Sequence, residues 1–192
     1  MTQMLDGGII LTNRDNYIYD ITISYNHTKL LNEIKDISLS PYWPDNPRKD
    51  SWFKGPKTWL YGTIDTITPE VGNIISSLYK LFDCKDIRPH LHKQLKGSSV
   101  PLHSDNVSKK LRKPFNEPQH QCAVNIQLGN EIGSVEFENI GSVGSYKCAL
   151  LNTMKKHSVP AFHEDRFFIK FRIMDCTYKN ARDRYIKLYK SI

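Results

Sequence analysis

Arg166-Phe167-Phe168-Ile169-Lys170-Phe171-Arg172-Ile173 alternates with a period of two. Phe167, Ile169, Phe171 and Ile173 share one face, and Arg166, Phe168, Lys170 and Arg172 share the other. That period is a strand, expected over 166–174, and its apolar face suits packing on helices. Upstream the same texture recurs in short runs, at 87–95, 99–104, 121–128, 134–140 and 145–152. Gly97, Gly129, Gly133, Gly141 and Gly144 punctuate them. Helical patterns precede these strands. Helices first and strands after predict an α+β domain whose helices cover one face of a sheet. Six or more short strands with Gly turns predict a double-sheet jelly roll.

Working toward the N-terminus, residues 17–25 are β-branched and aromatic and read as a strand. Asn26-His27-Thr28 reads as a helix start, followed by Leu30, Leu31, Ile34 and Ile37 at helical spacing. Thr68-Pro69-Glu70 opens a second helix, with Pro at its first position and an apolar face of Val71, Ile74, Ile75, Leu78, Leu81 and Phe82. Between them, residues 41–59 carry four prolines, which forbid a regular element there, and three tryptophans. A basic amphipathic helix is expected at 178–190. The expected division is one domain, 1–192. It comprises an N-terminal support region at 1–86, a β core at 87–176 and a C-terminal helix at 177–192.

Charged residues make up 24% of the chain and hydrophobic ones 39%, which is globular composition and argues against disorder. No run approaches the roughly 20 apolar residues of a membrane helix. The first residues lack a signal-peptide pattern. A cytoplasmic protein without a membrane partner is expected. Cys84, Cys122, Cys148 and Cys176 form no CxxC pair, so a zinc ribbon is excluded and reduced, mostly buried thiols are expected. The net charge of +7 favours anionic partners only weakly. Part of it lies in Lys109-Lys110-Leu111-Arg112-Lys113 and in the C-terminal run.

The chemistry-bearing residues begin at His103-Ser104-Asp105. Side chains two apart on a strand point the same way, so His103 and Asp105 can reach one ion. A further histidine, His157, follows 52 residues after Asp105. It sits in a polar turn after the buried run Cys148-Ala149-Leu150-Leu151-Asn152-Thr153. Two histidines and one carboxylate are the ligand set that holds non-haem Fe(II) on one face and leaves other positions open. Arg166, nine residues beyond His157, can take a carboxylate with two parallel bonds. His163 and Arg172 have the same spacing and form the alternative pair. His157 is preferred because Arg166 then begins its strand.

The ordered set His103-Ser104-Asp105, Asn125-Ile126-Gln127-Leu128, Leu150-Leu151-Asn152-Thr153, His157-Ser158-Val159 and Arg166 resembles the 2-oxoglutarate- and Fe(II)-dependent oxygenases. Within them it is most similar to the group of prolyl and aspartyl/asparaginyl hydroxylases. The resemblance covers residues 87–174, and residues 1–86 carry no motif of that family. It implies a cupin-like double-stranded β-helix. It implies Fe(II) on His103, Asp105 and His157, and the distal carboxylate of 2-oxoglutarate on Arg166. Gln94, with His92 as its same-face neighbour, and Asn125 are further expected contacts of the co-substrate. The implied activity is a dioxygenase that uses O₂ to hydroxylate an unactivated C–H bond on a protein, peptide or amino-acid side chain. The long basic stretch at 106–120 is a candidate lid, and the aromatic loop at 43–59 a second wall. Two other readings stay open. One is an oxygenase acting on nucleic acid, supported by the charge and the aromatic loop. The other is a non-catalytic cupin-like binding module. His27, His90, His92 and His120 are expected to be structural or surface residues, and Glu136 and Glu138 to face solvent.

Overall fold

A computed structural model describes residues 3–5, 9–41, 59–105, 121–130 and 132–190. In chain order the elements are β1 (Gln3–Leu5), β2 (Ile9–Leu11), a 3-10 turn at Arg14–Asn16, β3 (Ile18–Asp20), α1 (His27–Ile34), β4 (Ser40–Pro41), β5 (Trp59–Thr63) and α2 (Pro69–Phe82). There follow β6 (Ile87–Gln94), β7 (Val100–His103), β8 (Cys122–Gln127), β9 (Gly133–Phe137), β10 (Gly141–Tyr146), β11 (Cys148–Leu151), β12 (His157–Val159), β13 (Arg166–Ile173) and α3 (Tyr178–Lys190).

Strands β6 to β13 pass back and forth between two antiparallel sheets, with β9 and β10 forming a hairpin in the smaller one. The larger runs β3-β11-β8-β13-β6-β5-β4 and the smaller β10-β9-β12-β7. Within them, β6-β13-β8-β11 faces β7-β12-β9-β10, the layout of a double-stranded β-helix or jelly roll. β13 is central. Its eight residues pair with β6 from Arg166↔Gln94 to Ile173↔Ile87, and on the other side with β8.

The alternation of β13 divides the interior as its sequence requires. Ile169, Phe171 and Ile173 join Leu91, Val124, Ile126 and Leu150 beneath the helices. There they meet Leu30 and Ile34 of α1, Val71, Ile74, Leu78 and Phe82 of α2, and Ala181 and Tyr185 of α3. Burying each large apolar side chain contributes about 1.5–3 kcal/mol, so this layer carries most of the fold's stability. Asn26 caps α1, its side chain accepting from the Lys29 amide at 3.0 Å. Pro69 starts α2, which ends at Asp83 in the left-handed region (φ 55°). Glu70 accepts from the Asn26 amide, and the Glu70 amide donates to Glu33, tying the two helix starts together.

Four expectations are corrected. The strand expected at 17–25 is confined to Ile18–Asp20, because β11 offers β3 only three partners, Ala149, Leu150 and Leu151. The single strand expected at 145–152 is two, broken at Lys147 where the chain crosses from the smaller sheet to the larger. His157 lies on a short strand rather than in a turn. The Pro-rich region does end in a regular element. β5 begins at Trp59, where edge pairing with β6 replaces local propensity. The candidate lid at 106–120, with the basic run at 109–113, and most of the aromatic loop at 43–59 lie outside the described residues, as does His120. The four cysteines are free thiols. Among the described residues no helix is long and apolar enough to cross a membrane.

Candidate metal centre

Between the two sheets two apolar clusters leave a gap. Ile18, Val135, Phe137, Val143, Tyr146, Ala149 and Leu151 pack on one side. Trp59, Val100, Val159 and Phe168 pack on the other. The gap is a cavity of about 100 Å³, walled by members of both clusters, among them Val135, Tyr146 and Phe168, and by His92, His103, Asp105, Asn125, Thr153, His157, Arg166 and Lys170. Polar groups on an inner sheet face are costly unless each has a partner or a ligand.

His103 and His157 face each other in register across β7 and β12, with ring centroids 4.5 Å apart. The chain turns out of β7, and the Asp105 amide donates to the Thr153 carbonyl at 3.2 Å, which holds the carboxylate under both rings. The candidate ligand atoms of His103, Asp105 and His157 lie within 4.8 Å of one another. Asp105 Oδ1 is 3.3 Å from His103 Nε2 and 3.8 Å from His157 Nε2. His103 Nδ1 lies 2.8 Å from the Pro101 carbonyl and His157 Nδ1 2.9 Å from the Lys155 carbonyl. A carbonyl only accepts, so each Nδ1 carries a proton and each Nε2 is left turned toward the Asp105 carboxylate. Burial pushes His157 down to about 4 against the upward pull of Asp105, so its imidazole is neutral at pH 7. Two imidazoles oriented by backbone carbonyls and one carboxylate suit a divalent transition metal.

Arg166 stands at the start of β13, 1% exposed, with its guanidinium on the cavity. Nε donates to Gln127 at 2.9 Å, Nη2 to the Tyr146 hydroxyl at 2.9 Å and Nη1 to Gln94 at 3.4 Å. The group lies 4.4 Å from the Phe168 ring centroid. These contacts fix the plane of the fork. Tyr146 also accepts from Asn125 Nδ2 at 3.2 Å. Asn125 Oδ1 and Thr153 Oγ1, both on residues of the cavity wall, are buried without a hydrogen-bond partner among the described residues. They are acceptor and donor sites for a polar guest.

Gly133 makes this arrangement possible. A Cβ there would stand 2.5 Å from Gln127 Nε2 and 2.6 Å from Tyr146 Cζ, displacing two of the groups that hold Arg166.

The remaining polar wall comes from β6 and β13. Trp59 Nε1 donates to His92 Nδ1 at 3.0 Å, so the proton of the neutral ring is on Nε2. Burial, with Lys170 and Arg172 nearby, holds His92 well below its ordinary range. Lys170 Nζ bonds Asp105 Oδ2 at 2.6 Å. Burial pushes the Lys170 ammonium down while Asp105 raises it.

His103, Asp105, His157, Arg166 and Asn125 thus share one cavity. Gln94 does not line it. It is fully buried behind Arg166, where its Nε2 donates to the Ser98 and Pro160 carbonyls and its oxygen accepts from Arg166. Its place is that of a support for the guanidinium. His163 is exposed and lies outside the cluster, and Arg172 does not line the cavity. Glu136 and Glu138 are exposed, as expected. Sequence reasoning missed Tyr146, because it merged β10 and β11 and so lost the alternation that turns this ring inward. It also passed over Lys170, although a lysine two positions from Phe168 on the inward face of a central strand is a visible signal.

No family model matches the chain, and no curated protein matches it. Among solved structures it is similar to HygX from Streptomyces hygroscopicus with nickel and 2-oxoglutarate bound. The TM-score is 0.48 and the identity 11%, over 79% of this chain and 80% of that one. It is also similar to the collagen prolyl hydroxylase of Paramecium Bursaria Chlorella virus-1, with TM-score 0.43 and 8% identity over 61% of this chain and 79% of that one. A prolyl-4-hydroxylase of Pseudomonas putida gives TM-score 0.42 and 11% identity over 77% and 98%. Likeness at this level concerns sheet layout and not chemistry.

Proposed function

We propose that His103, Asp105 and His157 bind Fe(II), that Arg166 takes the distal carboxylate of 2-oxoglutarate, and that the protein is a dioxygenase hydroxylating an unactivated C–H bond. One observation carries this reading. Two imidazole Nε2 atoms and one carboxylate oxygen converge, with both rings oriented by backbone carbonyls at Nδ1. The substrate class, a protein, peptide or amino-acid side chain, is supported by the resemblance of the ordered motif set.

The chain's own residues have definite tasks in this reaction. His103, Asp105 and His157 would hold the ion at the cavity wall. Arg166, clamped by Gln127, Tyr146 and Gln94, presents its fork to a carboxylate. Asn125 and Thr153 supply buried polar contacts along the cavity. Trp59, Val100, Val159 and Phe168 exclude water from it. When bound, iron and 2-oxoglutarate would let O₂ supply the oxidation, one oxygen atom going to succinate as CO₂ leaves and the other to the hydroxylated C–H bond.

The test is anaerobic visible absorption of the protein titrated with Fe(II) and then 2-oxoglutarate, for wild type, His157→Ala and His163→Ala. A charge-transfer band in wild type and His163→Ala, lost in His157→Ala, is expected. Absence of the band in wild type would refute the oxygenase and leave a binding module. Product analysis on peptides and on nucleic acid then decides between the substrate classes.

A further inference from the structure

We infer that Lys170 is a positioning residue for Asp105, confining its carboxylate to one-oxygen ligation of the metal ion; this rests on the metal reading proposed above. The two oxygens of Asp105 face different partners. Oδ1 looks toward His103 Nε2 and His157 Nε2, at 3.3 and 3.8 Å. Oδ2 takes the Lys170 ammonium at 2.6 Å, a short charge-assisted bond. Both side chains are about as buried as each other, at 15% and 14% exposure, so little solvent competes for either end.

Lys170 cannot easily give way. It sits in the middle of β13, paired with Asn125 on one side and His90 on the other. Its stem lies on the same inward face as Arg166 and Phe168. The carboxylate, in the turn after β7, is therefore held from the larger sheet, while the other two ligands come from strands β7 and β12 of the facing sheet. For Asp105 to offer both oxygens to an ion, the bond to Lys170 must break. With that bond intact, one coordination position that a second carboxylate oxygen would fill stays open.

The device weakens metal binding. An ammonium on the far oxygen of the ligand repels a dication on the near one, in a site of low dielectric. Lys170 also stabilises the carboxylate before any ion arrives. Removing Lys170 should then tighten metal binding, the reverse of what loss of an ordinary packing residue would do.

The experiment uses the full chain with Co(II) alone as the probe, followed by calorimetry and visible absorption. It compares wild type, Lys170→Met, Lys170→Gln, Lys170→Arg and His157→Ala, with folding checked by circular dichroism. Lys170→Met is expected to bind Co(II) about tenfold tighter or more. Its d–d absorption should weaken as Asp105 adds its second oxygen. Lys170→Arg, which keeps the charged bond, should return both readings toward wild type. Lys170→Gln serves in the same role if Lys170→Met does not fold. Unchanged or weaker Co(II) binding with an unchanged spectrum in the folded neutral variants would overturn the positioning role and leave the metal site standing. No Co(II) binding in wild type would instead overturn the metal site, and this inference with it.

Discussion

Replacing Arg166 by Lys separates its structural task from its binding task. Among its contacts to described residues, the guanidinium makes hydrogen bonds at 2.9, 2.9 and 3.4 Å to three neutral acceptors. A lysine keeps the charge but ends in one ammonium on a shorter stem, which serves one near acceptor. One good charged bond, at about 1.5–3 kcal/mol, and one long bond of small value are lost. Weakened stacking on Phe168, now 4.4 Å from the guanidinium carbon, adds about 1 kcal/mol. The sum is about 3 kcal/mol, or roughly 6–12 °C in Tm for a chain of this size. The two-donor fork is lost too, so under the proposed reading 2-oxoglutarate should bind roughly 10–100-fold more weakly. Metal affinity should hold, because Arg166 is not a ligand and its charge is kept. The assays are thermal melting, metal titration, and 2-oxoglutarate titration of the metal-loaded protein. A lowered Tm with unchanged 2-oxoglutarate affinity would refute the reasoning and reduce Arg166 to a structural residue.

Gly133→Ala should weaken 2-oxoglutarate binding about tenfold while sparing the metal, because its Cβ displaces Gln127 and Tyr146 from Arg166; equal co-substrate affinity in calorimetry would contradict this. Leu78→Ala, in the fully buried face of α2, should cost about 2–5 kcal/mol in urea unfolding and leave metal affinity intact. Burial pushes the thiols of Cys84 and Cys148 up to about 12. A raised thiol pKa favours the neutral form, so at pH 8 only about one thiol in ten thousand is thiolate. Iodoacetamide should label both slowly in the folded protein and rapidly in urea, and rapid labelling of the folded chain would count against the packing described.

The period-two alternation of Arg166 to Ile173, the helical spacing from Val71 to Phe82 and the His103-Ser104-Asp105 tripeptide are local patterns. Each is legible because side-chain direction follows from backbone geometry alone. With the ordered motif set they carried the fold class, the helices and the residues His103, Asp105, His157 and Arg166. Other features depend on pairings between distant segments. Strand β12 exists because His157 meets His103 in register, and β5 because Trp59 to Thr63 find an open edge on β6. Local propensity encodes neither. Tyr146 turns inward only because the chain changes sheets at Lys147. Gln94 lies behind Arg166 rather than on the cavity because Ser98 and Pro160 take its amide. The bond from Lys170 to Asp105 spans 65 residues and ties β13 to the turn after β7. Sequence therefore determined which residue types were at hand and which face of its own element each occupied. Only the packing of one sheet on the other decided which of them share a cavity, because distances across that gap are set by strand pairing and not by position along the chain.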